Sequence, residues 1–370
     1  MSSLDGVLDP ADVRPDAERS LRDWLSLQWD WALDPVAAAA LLRAVGSPAA
    51  ALRAPTAKSR RDSRPDPEAL AATLRRIGAR ALPLDSPAYP RRLARLADPP
   101  LLLSIRGDID ALAGPCVGIV GSRAATVYGL TTAEALAADF ARAGAVVVSG
   151  LALGIDAAAH RGALAAGGRT VAILACGPDR IYPARHRGLA EQIVRDGAIV
   201  SELPVGTAPL RAFFPLRNRL ISGLSAAVVI VEARERSGSL ITARHAADQG
   251  VDVFAVPGPI HAPTSAGPNR LLQDGAGVVL EASDVLQAVG LEPVGGAADA
   301  APESAPPDAQ GPGARSLLAE LTRAPATRDE LSRRTGRAPS ELALDLLELE
   351  WSGVAALDRD GRWRRTQPRR

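Results

Sequence analysis

Lysine is almost missing from this 370-residue chain: Lys58 is the only one, so arginine carries the basic charge. Any phosphate site must therefore rely on guanidinium forks or backbone N–H groups, without the compact ammonium of lysine. Cysteine is nearly as scarce, with Cys116 and Cys176 both inside apolar runs. That excludes a disulfide framework, and no Cys/His spacing matches a zinc site. Aromatic residues make up 3% of the chain, so the core must be built from Ala, Leu and Val. No run of about 18 uninterrupted apolar residues occurs, so no membrane span is expected. The opening stretch MSSLDGVLDPADVRPD lacks the basic and apolar regions of a secretory leader. A reducing cytoplasm is the expected location. Net charge is close to zero, 43 basic against 42 acidic residues, which excludes a polybasic coat or an acidic tail but permits a local basic site.

The length suggests two or three domains at about 100–200 residues each. Two segments read as linkers: the basic, proline-rich 53–67 and the 291–313 stretch LEPVGGAADAAPESAPPDAQGPG, which has no apolar periodicity. The expected division is a small N-terminal helical domain over 1–80 (a SAM or helix-hairpin-helix type of module), a central body over 81–290, and a C-terminal piece over 314–370. In the first, Leu21, Trp24, Leu25 and Trp31 recur at helical spacing, Pro35 opens a second helix that stops at Gly46, and Ser47 caps a third. Such packages bind nucleic acid or protein, and serve as plain scaffolds.

The central body alternates apolar runs with helical patterns. CVGIV (116–120), AVVVS (145–149), TVAIL (170–174), AAVVIV (226–231), VDVFAV (251–256) and GVVL (277–280) read as strands; helices are expected over 126–143, 156–166, 188–196 and 239–250. Continuous β-branched runs alternating with helices predict an α/β fold, a doubly wound, mostly parallel, Rossmann-like sheet covered on both faces. The C-terminal piece reads as three helices and a hairpin, a winged-helix-like layout. Its elements are a helix over 316–321, a capping box of Thr327 and Glu330 on a second helix closed by Gly336, a third from Ser340 with Leu342, Leu346 and Leu349, and strands at 353–357 and 362–365 around an Asp360-Gly361 turn. The third helix, in the place of a recognition helix, holds Glu341, Asp345, Glu348 and Glu350 and no Lys or Arg. A phosphate wall would repel it, which points to protein contact rather than duplex reading.

In an open parallel sheet ligands bind beyond the carboxyl ends of the strands. The segments there are Gly121-Ser122-Arg123; Ser149-Gly150 through Gly154 to Asp156; Arg236-Ser237-Gly238-Ser239 to Thr242; and Ser265 through Gly267 to Asn269. Each is Gly/Ser-rich and leads into a helix, so its N–H groups suit an anion, although such residues are also ordinary turn formers. Neither G-x-G-x-x-G nor a P-loop occurs, so a usual dinucleotide site is not expected. Phe213-Phe214-Pro215-Leu216-Arg217-Asn218-Arg219 offers arginines and an amide beside an aromatic pair, the combination that single-strand sites use for phosphate and base. The plainer alternative places the phenylalanines in the core and an arginine on a helix surface. His160, His186, His245 and His261 form no ligand pair and read as polar surface or helix residues; no G-x-S-x-G elbow supports a hydrolase around Ser149 or Ser237. Glu202 and Glu232 follow strands and read as local hydrogen-bond partners, with a general-base role as the alternative. No catalytic residue, metal or cofactor is expected.

Taken together, GIVGSRAATVYG (118–129), SGLALGIDAAAHRGAL (149–164), FPLRNRLISGLS (214–225), SGSLITARHAADQG (237–250), and AVPGPI with SAGPNRLLQDGA (255–276) resemble the DNA-processing protein A family (DprA, also called Smf), as does the lead-in YPRRLARLADPPLLLSIRGD (89–108). The resemblance covers about 200 residues in order. It implies an extended Rossmann-like protein without enzymatic activity that binds single-stranded DNA, forms homodimers, protects incoming DNA and loads RecA recombinase during natural transformation. It implies a DNA pocket lined by Arg123, Phe214, Arg217, Asn218 and Arg219, with Ser237 to Thr242 nearby. Two departures stand out: Tyr182-Pro183-Ala184-Arg185-His186 where the family often has Tyr-Pro-x-x-Asn, and Gly250-Val251 where it often has Gly-Arg. A basic contact or its support would be lost there unless Arg185 and Arg187 substitute. Two rivals remain: a Rossmann-type enzyme acting on a nucleotide or its ribosyl bond, for which the P-G-G-x-G-T-x-x-E signature is missing, and a protein adaptor built on the winged helix.

Overall fold

A computed structural model describes residues 17–31, 34–54, 64–292, 317, 320–321, 326–351, 354–358 and 361–365. Most of the expected 53–67 linker, nearly all of the 291–313 tether, the start of the first C-terminal helix and Asp360 lie outside the described residues. The chain divides into two compact units, 1–294 and 295–370.

The first unit is built on a nine-stranded sheet. Its strands are β1 (Ala79–Pro83), β2 (Leu102–Gly107), β3 (Cys116–Val120), β4 (Val146–Ser149), β5 (Thr170–Ile173), β6 (Ala198–Ser201), β7 (Ala227–Ile230), β8 (Asp252–Ala255) and β9 (Gly277–Val278), in the order β1-β2-β6-β5-β4-β3-β7-β8-β9. β3 to β9 pair in parallel, and β2 runs against both β1 and β6. The winding starts at β3, proceeds through β4, β5 and β6 to one side, then returns through β7, β8 and β9 to the other. The reversal between β3 and β7 leaves a crevice at their carboxyl ends.

The sequence reading finds six of these strands. It does not find β1, β2 or β6: in Ala-Arg-Ala-Leu-Pro and Leu-Leu-Ser-Ile-Arg-Gly polar residues interrupt the apolar run, Ala-Ile-Val-Ser follows directly on a helix, and pairing with neighbouring strands is what defines all three. GVVL is a strand over just its first two residues.

Four helices precede β1: α1 (Ala17–Trp31), α2 (Pro35–Val45), α3 (Pro48–Arg53) and α4 (Pro67–Arg76). Asp34 and Ser47 accept the N-cap hydrogen bonds of α2 and α3, and Gly46 closes α2 in the left-handed region. These helices do not stand apart as a domain over 1–80. Leu21, Trp24, Leu25 and Leu27 of α1 share one apolar cluster with Leu70, Leu74, Leu101 and Leu102, and Gln28 Nε2 donates to the carbonyl oxygen of Glu202 at 2.8 Å. The apolar face of α1 is wide enough to need the sheet edge as a partner.

The central helices are α5 (Arg91–Ala94), α6 (Val127–Arg142), α7 (Ile155–Ala165), α8 (Arg187–Asp196), α9 (Phe213–Leu224), α10 (Ser239–Asp248), α11 (Ala266–Gln273) and α12 (Ser283–Leu286). Alternate strand residues feed two cores. Val117, Ile119 and Val147 join Phe140 of α6 and Ala158 of α7; Val146, Val148 and Val228 join Leu220 and Ile221 of α9 and Ala243 of α10. Both sheet faces are thus covered, as continuous apolar strands require. Among the described residues, no helix is long and apolar enough to cross a membrane.

In the second unit the Thr327–Glu330 capping box starts a helix over Arg328–Thr335, which Gly336 ends in the left-handed region. Leu331, Leu342, Leu346 and Leu349 make the core with Ala355. The helix Pro339–Trp351 is followed by a hairpin of Ala355–Leu357 with Trp363–Arg365, which makes a winged helix.

Candidate functional site

The crevice between β3 and β7 opens into a cavity of about 870 Å³. The β3 loop supplies Gly121, Ser122 and Arg123; the β7 loop supplies Arg234, Arg236 and Ser237 to Thr242; α9 supplies Phe214, Arg217 and Asn218. Tyr182, Pro209 and Arg211 close the remaining side.

Helical spacing explains how α9 serves two faces. The sequence reading treats Phe213 to Arg219 as a cluster without assigning a helix. In the helix, Phe214, Arg217 and Asn218 lie at i, i+3 and i+4 and share the cavity side. Arg219, two residues after Arg217, points about 200° away. It is 3% exposed, and its Nη2 and Nε meet Glu202 Oε2 at 2.6 Å and Asp98 Oδ2 at 2.9 Å. Arg219 therefore does not belong to the rim; it ties α9 to the lead-in of the body. Glu202 is a local partner as expected, and burial raises its carboxyl pKa against the pull of Arg219.

Arg217 is 4% exposed, and its Nη1 donates to the carbonyl oxygen of Ile173 at the end of β5, at 2.5 Å. Burial lowers its pKa to about 10, Asp156 opposing and Arg123 adding to the shift. A Cβ on Gly150 would lie 1.8 Å from Arg217 Nη1, so glycine is what admits the guanidinium. Asp156, at the start of α7, accepts from the backbone N–H groups of Gly150 (3.1 Å) and Ala152 (3.3 Å). Burial raises its pKa, and Arg217 opposes that shift most.

Arg123 is exposed, and its guanidinium carbon lies 4.6 Å from the centroid of the Phe214 ring. Phe214 in turn meets Tyr182 edge to face, with centroids 5.8 Å apart. Asn218 Nδ2 donates to the carbonyl oxygen of Gly238 at 3.1 Å, fixing the β7 loop to α9. Ser237 and Ser239 pair through their hydroxyls at 2.7 Å. Ser122 Oγ accepts from Ala124 N–H.

Gly121, Ser122, Arg123, Phe214, Arg217, Asn218, Ser237, Gly238, Ser239 and Thr242 all line one cavity. Ser149, Gly150 and Gly154 sit behind it. Ser149 Oγ donates to the Ile119 carbonyl oxygen; Gly154 has φ +73°, and a Cβ there would lie 2.2 Å from the Ser122 carbonyl oxygen. The fourth Gly/Ser loop turns away: Asn269 brackets Gly258 with both amide atoms and Gly267 donates to Ala233. Tyr182, Arg211 and Arg234 are cavity residues that the sequence reading does not propose as ligand contacts, and it names Asp156 and Arg236 only as ends of their loops. For Arg234 and Arg236, adjacency to Ser237 was an available signal; Tyr182 and Arg211 are too distant in sequence.

The departures also resolve. His186 Nδ1 lies 2.8 Å from the Leu151 carbonyl oxygen, so the histidine supports that loop. Val251 is buried in the core. His160, read as a polar surface or helix residue, is a helix residue of α7 and fully buried there, and Glu232 caps α6 by accepting from the Thr126 N–H and hydroxyl.

Residues 80–290 match the family described as DNA recombination-mediator protein A, and residues 300–358 match the DprA winged helix domain. Protein Smf of Escherichia coli is 41% identical over 261 residues, 69% of each chain. A solved structure of DNA processing protein A from Streptococcus pneumoniae is 33% identical with a TM-score of 0.60, covering 74% of this chain and 98% of that one. A Helicobacter pylori structure, reported for its unique single-stranded DNA binding mode, is 34% identical with a TM-score of 0.51, covering 55% of this chain and 93% of that one. With more than half its length matched by the family and a relative 41% identical over 69% of each chain, the chain belongs to the DNA recombination-mediator protein A (DprA/Smf) family of DNA-processing proteins.

Proposed function

We propose that this protein binds single-stranded DNA in the cavity beyond β3 and β7 and, as a homodimer, protects incoming strands and presents them to RecA recombinase during natural transformation. The observation that carries the reading is the Arg123–Phe214–Tyr182 stack beside exposed Arg211, Arg234 and Arg236. Guanidinium groups take phosphate in forks, and a ring takes a base of any sequence on its face. The Helicobacter relative's single-strand binding supports the same ligand. Asp156 is the only carboxylate among the described residues lining the cavity, and its Oδ2 already accepts two backbone N–H groups. That favours binding over acid–base chemistry on a nucleotide; turnover of nucleoside monophosphates without DNA would reverse the assignment.

The winged helix we assign to protein contact. Its helix Pro339–Trp351 has no basic residue, Leu344 and Leu347 are exposed, and Glu341 and Glu350 flank them. The deciding experiment is salt-dependent binding to single- and double-stranded DNA of equal length. Preference for the single strand and a steep loss of affinity with salt are expected; equal binding to both forms would defeat the reading. Delivery to RecA is tested by RecA filament assembly on coated single strands with and without the protein, and the dimer by mass measurement in solution.

A further inference from the structure

The first cavity ends at Tyr182 and Pro209, but those two residues also line a second cavity of about 490 Å³ on their other side. Resting on the single-strand reading above, we infer that this second cavity, lined by Arg106, Arg180 and Arg187, receives further phosphates of the same strand. The bound path then runs from Arg123 past the Phe214–Tyr182 pair toward the start of α8.

Three observations carry it. Arg106 lies on β2, next to Ile105, whose side chain enters the core on the α9 side; alternation sends Arg106 to the α8 side. Its Nε is buried and has no hydrogen-bond partner among the described residues. Arg106 lines the cavity and has no carboxylate partner among the described residues, so its guanidinium charge is left for a ligand oxygen. Arg187, the first residue of α8, is exposed and makes no ion pair among the described residues. Arg180 has only a long contact, 3.7 Å, to Asp179 at an exposed site, a weak competitor for an incoming anion. Asp179 is itself committed, since its Oδ1 accepts from Gly206 N–H at 2.8 Å. The remaining carboxylate, Glu191, is exposed on α8. The cavity thus holds a surplus of donors arranged in forks, which fits an anion with several acceptor oxygens. Continuity decides for a strand over a free ion: Tyr182 is 48% exposed and stands between the two sets of arginines, so a base stacked on it has a phosphate on each side.

The experiment uses the full chain and thymidine oligomers from about 4 to about 16 nucleotides, the span of site sizes of single-strand binding folds. Wild type, Arg123→Ala and the double variant Arg106→Gln/Arg187→Gln are compared over a salt series, with thermal melting to confirm folding. The double variant is expected to bind the shortest oligomer as wild type does. On the longest it should lose about tenfold in affinity, and its log–log salt slope should flatten by about 1.4, near 0.7 for each lost phosphate contact. Arg123→Ala should weaken binding at every length. If the double variant matches wild type at all lengths, the extension is overturned and the first cavity stands. Equal loss at all lengths also overturns it, because a remote subsite acts only on strands that reach it. If inorganic phosphate binds wild type but not the double variant while length has no effect, the cavity holds a free ion and not the strand. If neither variant changes binding, the single-strand reading fails and takes the extension with it.

Discussion

The guanidinium of Arg123 rests 4.6 Å from the centroid of the Phe214 ring. A charge on a loop is thereby held in place by an aromatic side chain on a helix more than ninety residues away. The pairing makes the two residues interdependent: the ring orients the guanidinium, and the guanidinium shields one face of the ring. Phe214→Leu is therefore expected to weaken oligo-dT binding by about 1–3 kcal/mol, the range for loss of a stacking partner. Arg123→Ala should weaken it too and flatten the salt slope, with little change in melting temperature because Arg123 is exposed. Titration by fluorescence anisotropy at several salt concentrations checks both.

Arg217 and Arg219 lie two residues apart on one helix and should respond differently. Arg219→Met removes the partner of buried Glu202 and Asp98, so a stability loss of about 3 kcal/mol or more is expected, with affinity of the folded fraction unchanged. Arg217→Met should reduce affinity as well. Chemical denaturation and DNA titration of the same samples separate the two effects; matching affinity losses would return Arg219 to the interface.

Gly150 carries no side chain and yet should be intolerant of one. Gly150→Ala places a methyl inside the Arg217 guanidinium, which must then move off the Ile173 carbonyl oxygen. Both melting temperature and DNA affinity are expected to fall. A variant as stable and as tight as wild type would show that Arg217 has room to spare.

His160 gives the chain an acid-sensitive core. Thr170 Oγ1 donates to the Val147 carbonyl oxygen, so it accepts from His160, which places the imidazole proton on Nδ1 and leaves Nε2 buried without a partner. Burial, reinforced by Arg217, lowers the His160 pKa to about 3. The unfolded chain protonates this histidine near its ordinary pKa of about 6.5 while the folded chain does not. Its contribution is thus fully present above about pH 6.5 and is lost as pH falls toward 3. His160→Gln should flatten the pH dependence of stability in that window, where Asp156 and Glu202, with raised pKa values, act in the opposite sense. Denaturation midpoints between about pH 4 and 7 measure the difference.

Removal of residues 313–370 should leave single-strand affinity intact, since every residue of the proposed path lies in the first compact unit. Effects on RecA assembly without an effect on DNA binding would place the acidic Pro339–Trp351 helix in the protein contact. Loss of DNA binding would instead support the adaptor reading.

Much of this architecture was legible in order of residues. Six strands with their helices, Pro35 at the start of α2, the caps at Ser47 and Thr327, and the Gly/Ser loops follow from local pattern, because β-branched runs and capping side chains act within a few residues. β1, β2 and β6 were not legible, since pairing with partners far apart in the chain and not composition makes them strands. At the site, the motif set brought ten of its fourteen candidates to one cavity, and set Ser149, Gly150 and Gly154 in a layer behind it.

What the sequence alone determined is the kind of chemistry available: arginine without lysine, Gly/Ser-rich loops after the strands, and apolar strands that demand cover on both faces. Only the tertiary structure decided which arginine faces the ligand. About half a turn of helix separates Arg217 at the cavity from Arg219 in a buried ion pair, and the reversal of winding between β3 and β7 brings Arg123, Phe214 and Arg236 to one rim. Such choices are made by contacts between residues far apart in the chain, which local pattern does not encode.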